Sequence, residues 1–150
     1  MRGGKEFVWS WNQYYGDSMA FAKSLAYLGV DAKKSVNIMG FNSPEWLIAF
    51  MGAVLNNNVA SGVYATNGPE ACFYQSENSE AQVIVVDTLD QMKIYQSIID
   101  KLPSVRAVIA WGIQSLPEEL SKDFRFYTFK NFIKLGVDIP TKSIQTKMAK

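Results

Sequence analysis

Two near-copies of one local signal, Asn42-Ser43-Pro44-Glu45 and Asn67-Gly68-Pro69-Glu70, stand 25 positions apart in this chain. Each has the chemistry of a helix start. Proline fits the first helical turn, where its missing N–H would have had no partner, and the following glutamate complements the positive end of the helix dipole. Ser43 can cap the first of the two. Each signal also follows a short run suited to a strand, Ser35 to Phe41 and Val59 to Ala65. A strand-to-helix unit that occurs twice in succession constrains the fold strongly, because parallel strands need crossover helices between them whereas antiparallel strands need only tight turns. The echo predicts two successive units of an α/β fold and falls short of a repeat array.

The rest of the chain continues that alternation. Ser10 and Gln13 form a capping box, and Tyr14, Ser18, Phe21, Leu25 and Leu28 follow at helical spacing up to Gly29, which suits a left-handed C-cap. The helix from Pro44 to Leu55 is apolar nearly all round and is expected to be covered on most sides. Asn56-Asn57-Asn58 ends it. After a helix to about Asn78, Gln82 to Asp87 is a continuous β-branched run of the kind found in parallel strands buried on both faces. A helix from about Leu89 to Leu102 and a fourth strand from Val105 to Trp111 come next. Gly112 to Asp123 is turn-rich, Phe124 to Tyr127 suits a short strand, and Thr128 can cap a small helix to Leu135. Residues 137 to 150 are polar, with too little apolar content to pack, and are expected to be extended or mobile. The predicted class is α/β, a mostly parallel sheet with helices on its faces.

Composition removes several functions. The chain of 150 residues contains no histidine, which excludes Ser-His-Asp and Cys-His mechanisms, and one cysteine, Cys72, which can form neither an internal disulfide nor a multi-thiolate metal site. A reducing intracellular setting agrees with that. The net charge of +1 leaves no footprint for nucleic acid. The longest apolar stretch, Trp46 to Leu55, is half the roughly 20 residues needed to span a bilayer, and no export signal precedes the first helix.

Ligands of open parallel sheets bind beyond the carboxyl ends of the strands, here the loops after Phe41, Ala65, Asp87 and Trp111. None carries a Gly-x-Gly-x-x-Gly or Gly-x4-Gly-Lys-Ser/Thr phosphate cradle, and Gly3-Gly4-Lys5 lacks the strand and hydroxyl that one requires. Asp87 could hold a ribose or a metal-bound water, although a helix cap through Asp87 or Thr88 outweighs that reading. Glu45 and Glu70 fit first-turn dipole partners better than a catalytic pair. Trp46, Tyr64, Phe73 and Tyr74 could line a lipid pocket, with core packing the stronger expectation. Cys72 in a helix N-terminal turn could be activated, but a buried structural thiol is commoner there.

Four stretches, Phe7 to Tyr15, Gly40 to Trp46, Gly62 to Cys72 and Val83 to Asp87, together with Leu102-Pro103 leading into Val105 to Val108, resemble long-chain acyl-CoA synthetases of the bubblegum type, members of the adenylate-forming superfamily. The similarity runs from about Glu6 to Gly136 and implies a partial AMP-dependent synthetase/ligase N-terminal domain over residues 6–136, with 137–150 as a polar tail. The family reaction it implies joins ATP and a long-chain fatty acid to an acyl-adenylate and pyrophosphate, after which coenzyme A displaces AMP, with magnesium accompanying the ATP. The family's phosphate loop, adenine-contacting segment, ribose-binding aspartate and lysine-bearing C-terminal domain have no counterpart here. The resemblance therefore assigns no catalytic, cofactor-binding or metal-binding residue and no cofactor to this chain, while ATP, magnesium and CoA are implied for the full-length enzyme. Gly16 inside the first helix and the Asn56–Asn58 run depart from the pattern, and both are expected to weaken local stability. The implied role is an inactive scaffold fragment of a cytoplasmic enzyme, with peripheral attachment to an intracellular membrane left open. The rival is a free-standing non-catalytic α/β module that binds a fatty acid or a partner protein.

Overall fold

The computed structural model describes residues 8–148. Strands β1 (Ser35–Met39), β2 (Val59–Val63), β3 (Ala81–Val86), β4 (Ala107–Ala110) and β5 (Phe126–Thr128) form one sheet in the order β2-β1-β3-β4-β5. Every neighbouring pair is parallel. Helices α1 (Trp11–Tyr27), α2 (Pro44–Leu55) and α6 (Phe129–Phe132) supply one face, and α3 (Pro69–Asn78), α4 (Leu89–Ile98) and α5 (Glu118–Ser121) the other. The distribution follows from handedness. The chain moves outward from β1 to β2, then back past β1 to β3, and right-handed crossovers in opposite directions place α2 and α3 on opposite faces.

Each face is a continuous core. Phe21, Leu25, Ile48, Ala49 and Ala53 pack on Val36, Ile38, Val83, Val85 and Ile109. On the opposite side Cys72, Met92, Tyr95 and Ile98 pack on Met39, Ile84, Val86 and Val108. All six residues of β3 are buried, as a central parallel strand requires.

The helix starts agree with the signals read at Ser10, Ser43 and Thr88, and Gln91 is an addition from the structure. Ser10 and Gln13 close a capping box on α1, Ser43 accepts from the Trp46 N–H, and Thr88 and Gln91 make a second box on α4. Gly29 has φ +67°, and Arg106 Nη1 donates to the Leu28 carbonyl at 3.2 Å, so a cation meets the negative end of α1.

Several expectations need correction. The strands are shorter than their apolar runs: β1 stops at Met39 because Gly40 turns to φ +150°, β2 stops at Val63, and β4 starts at Ala107. A 3-10 turn, Ile99–Lys101, ends the fourth long helix, and the turn-rich stretch contains α5. The tail is not extended across its length, since Thr141–Met148 forms α7 around a fully buried Ile144. Ile144, together with the bond from Lys147 to Asn56, docks a helix of mostly polar composition.

The asparagine run is a built element. Asn57 takes φ +62°, Asn56 Nδ2 donates to Asn58 Oδ1 at 2.7 Å, and Asn58 Nδ2 donates to the Asp31 carbonyl at 2.8 Å. The run joins the end of α2 to the loop before β1, with its buried amides satisfied.

Nothing in the structure requires a glycine at position 16 inside α1. A Cβ there would meet nothing within 4 Å, and no positive φ demands glycine. Gly16→Ala is expected to stabilise the protein by about 0.5–1 kcal/mol, read as a raised urea midpoint with an unchanged slope. A lowered midpoint would contradict the open space at this position.

Candidate functional site

The strand order reverses between β1 and β3, so the carboxyl ends of these two strands form the switch point where a doubly wound sheet binds its ligands. Gly40, Asp87, Trp111 and Gly112 meet there. The Gly112 N–H donates to the Asp87 carbonyl at 2.7 Å, and the Asp87 N–H donates to the Met39 carbonyl at 3.0 Å. A Cβ on Gly40 would stand 2.6 Å from Trp111 Cζ2, and one on Gly112 would stand 2.2 Å from the Asp87 carbonyl oxygen. Both glycines therefore serve close packing of adjacent strand ends. The Gly112 N–H is taken by the Asp87 carbonyl and the space at both glycines is filled by the protein, so the residues present do not fit the triphosphate of ATP.

Asp87 stands half-buried at this edge, and its backbone N–H is also held by Gln91 Oε1 at 2.9 Å. Thr88 is the N-cap of α4, which agrees with the capping alternative at this pair. Gln91, buried at the same edge, donates from Nε2 to the Ala65 carbonyl at 3.3 Å and ties the loop after β2 to α4. Gln91 was not among the candidate residues, and its place three positions past a threonine cap is the signal that could have found it.

The other candidates separate. Glu45 and Glu70 occupy the first turns of α2 and α3, on opposite faces of the sheet, and so form no pair. Cys72 is fully buried and donates to the Asn67 carbonyl at 3.7 Å. Burial pushes its thiol up, and the neighbouring Tyr95 hydroxyl opposes this only in part, so the thiol is not activated. Burial likewise raises Tyr95 itself.

The four aromatic residues do not share a pocket. Trp46 stacks on Phe50 at 5.9 Å beside the α2 core, and Phe73 lies against the α4 core on the other face. Tyr64 and Tyr74 are surface residues, 77% and 66% exposed, contrary to the expectation of core packing. Tyr64 follows directly on the end of β2, and Tyr74 lies on the solvent side of α3.

A different apolar feature was not anticipated. Leu47, Phe50 and Val54 form an exposed stripe on α2, at three-and-four spacing. The helix is thus not covered on most sides. Beside it Trp9, Trp11 and Tyr14 face Pro44, Leu47, Ile48 and Met51 across a groove of about 550 Å³, and none of its lining side chains among the described residues is charged. The all-round apolarity of α2 carried this signal, since a helix packed on one side of a sheet needs only one apolar stripe. Among the described residues no group of three or more His, Cys, Asp or Glu side chains is placed to hold a metal ion, and no helix is long and apolar enough to cross a membrane.

Comparison with known proteins gives concordant results. The family described as AMP-binding enzyme matches residues 3–134. The long-chain-fatty-acid–CoA ligase ACSBG2 of Xenopus laevis is 39% identical over 135 residues, 90% of this chain and 18% of that protein. The human long-chain-fatty-acid–CoA ligase ACSBG1 is 35% identical over the same share of each. The chain thus spans about a fifth of the length of these relatives. Among solved structures, the anthranilate CoA ligase AuaEII in complex with anthranoyl-AMP superposes with a TM-score of 0.72 at 22% identity, over 87% of this chain and 23% of that one. The A-PCP didomain of the carboxylic acid reductase of Segniliparus rugosus, in complex with AMP, gives 0.77 at 16% identity, over 91% and 21%. These two show a shared fold.

Proposed function

This chain belongs to the AMP-binding enzyme family, and from that premise we propose that it is the scaffold layer of a long-chain-fatty-acid–CoA ligase. In that reaction the fatty acid carboxylate and ATP give an acyl-adenylate and pyrophosphate, and the thiol of CoA then displaces AMP; magnesium accompanies the ATP. The observation that carries this reading is the likeness to the Xenopus ligase across nine tenths of the chain. Residues 8–136 supply the sheet and its two helical faces, and none of their side chains enters the chemistry. The reading places the end of the sheet-bearing unit at residue 136, with 137–150 as an appendage. It carries with it a cytoplasmic site of action, with peripheral attachment to an intracellular membrane left open.

The exposed stripe on α2 favours a scaffold over a free-standing module. Contiguous apolar surface on a helix of an independent domain usually marks a place where other structure packs. The scaffold reading accounts for Leu47, Phe50 and Val54 without assigning them a ligand.

A chimera tests the reading. Residues 8–136 replace the matching span of the Xenopus ligase, and palmitate-dependent acyl-CoA formation is measured. Retention of at least a tenth of the parental rate is expected. A folded chimera with no activity would refute the assignment. The 150-residue chain alone is expected to show no fatty-acid-dependent ATP–pyrophosphate exchange, and measurable exchange would refute the scaffold role.

A further inference from the structure

Helix α7 crosses the outer side of α1 and α2 and is attached to them at two points. Ile144 is fully buried among Met19, Ala22 and Leu55. Lys147 Nζ donates to Asn56 Oδ1 at 3.0 Å, at the outer end of the asparagine run. The other hydroxyl bonds of the helix are local: Ser143 Oγ donates to the Pro140 carbonyl at 2.6 Å and Thr146 Oγ1 to the Lys142 carbonyl at 2.9 Å. Eight residues are too few to hold a helix in water without docking. Release of Ile144 therefore unwinds the helix as well.

The chain before this helix has one firm anchor. The Gly136 N–H donates to Ser24 Oγ at 3.2 Å, and a Cβ on Gly136 would stand 2.2 Å from the Lys23 carbonyl carbon. Beyond it Val137, Asp138 and Pro140 are exposed, and Ile139 is only partly buried. Neither sheet core includes a residue after Leu135.

We infer that residues 137–148 form a strap that opens as one unit about Gly136 while the sheet and both its faces stay folded. Local opening of elements with few buried apolar contacts is the general pattern of native-state fluctuation. Opening bares Met19, Ala22 and Leu55. Met51 lies both beside this cluster and in the wall of the α1/α2 groove. The open strap thus extends the apolar groove along α1 and α2, and the closed strap shortens it.

Cys72 provides the reference for the test, because it is the only natural thiol and is buried on the opposite face of the sheet. An Ala22→Cys variant of the full chain is exposed to a thiol reagent under native conditions. The thiol introduced at position 22 is expected to react at least tenfold faster than Cys72. Adding Ile144→Ala is expected to speed it about tenfold further and leave the Cys72 rate unchanged. Equal rates at the two thiols, or equal acceleration of both by Ile144→Ala, would overturn the strap. Should Ala22→Cys fail to fold, hydrogen exchange of the unmodified chain decides: amides of 141–148 exchange at least tenfold faster than those of Val83–Val86, and exchange in step with them would overturn it.

Discussion

Phe21→Ala is expected to cost about 3–5 kcal/mol, a large share of the 5–15 kcal/mol typical of a folded domain. Phe21 is fully buried where α1, α2 and α6 meet, with ring centroids 5.8 Å from Phe129 and 5.0 Å from Phe132. The upper part of the range is expected because the site cannot collapse. Gly52 lies beneath the ring so closely that a Cβ would stand 2.6 Å from Phe21 Cδ1, and glycine has no side chain with which to fill a void. The cavity is therefore walled by α2 backbone and two aromatic rings whose positions are fixed by α6. Urea unfolding at 25 °C measures the loss, and a value below about 1 kcal/mol would mean that the three helices close up after all.

The second large effect lies on the opposite side of the sheet, in a buried polar network. Asn37 Oδ1 accepts from Ser35 Oγ at 2.8 Å and from Ser79 Oγ at 3.0 Å, while its Nδ2 donates to Ser76 Oγ at 3.1 Å. Ser76 Oγ donates onward to the Tyr95 hydroxyl at 3.4 Å. Asn37→Ala removes the centre and leaves buried hydroxyls short of partners, at a cost of about 2–3 kcal/mol. The same reasoning makes the loss non-additive. Asn37→Ala with Ser79→Ala is expected to cost less than the sum of the two single variants, because each single change already breaks the Asn37–Ser79 bond and the double variant loses it only once. Strict additivity in the urea midpoints would show that these side chains do not act together.

Helix starts were the most legible part of the sequence. Ser10 with Gln13, Ser43 before Pro44, and a cap at Asp87 or Thr88 are local chemistry, resolved within four residues, and the structure realises the first two and the Thr88 alternative of the third. Strand ends were less legible, because where a strand stops depends on its neighbours. Ser35 to Phe41 is apolar enough to continue, yet the ladder ends at Met39 opposite Val63 and Val86. Asn37 shows the limit of pattern reading: an asparagine in the middle of a buried strand is intelligible only when Ser76 and Ser79 arrive from α3, some 40 positions later. The α7 helix was missed for a related reason, since Ile144 acquires its meaning from Met19, Ala22 and Leu55, far earlier in the chain.

The switch-point loops were legible from the alternation of strands and helices, whereas the packing that fills them was not. Gly40 and Gly112 could have signalled an open backbone approach, and instead they admit Trp111 and the Asp87 carbonyl. Composition cannot distinguish a glycine that makes room for a ligand from one that makes room for the protein itself.

The strand order β2-β1-β3-β4-β5 also governs how the fold is assembled during synthesis. When β2 has left the ribosome, β1 has one neighbour, and its other edge stays open until residues 81–86 emerge. Through that interval α1 and α2 have β1 to pack on but lack Val83, Val85 and Ile109, which complete their core. Parallel pairings of this separation form slowly, and unpaired edges are where nascent chains associate wrongly. A chain held between Val63 and Ala81 thus presents an open β1 edge that the finished sheet hides between β2 and β3.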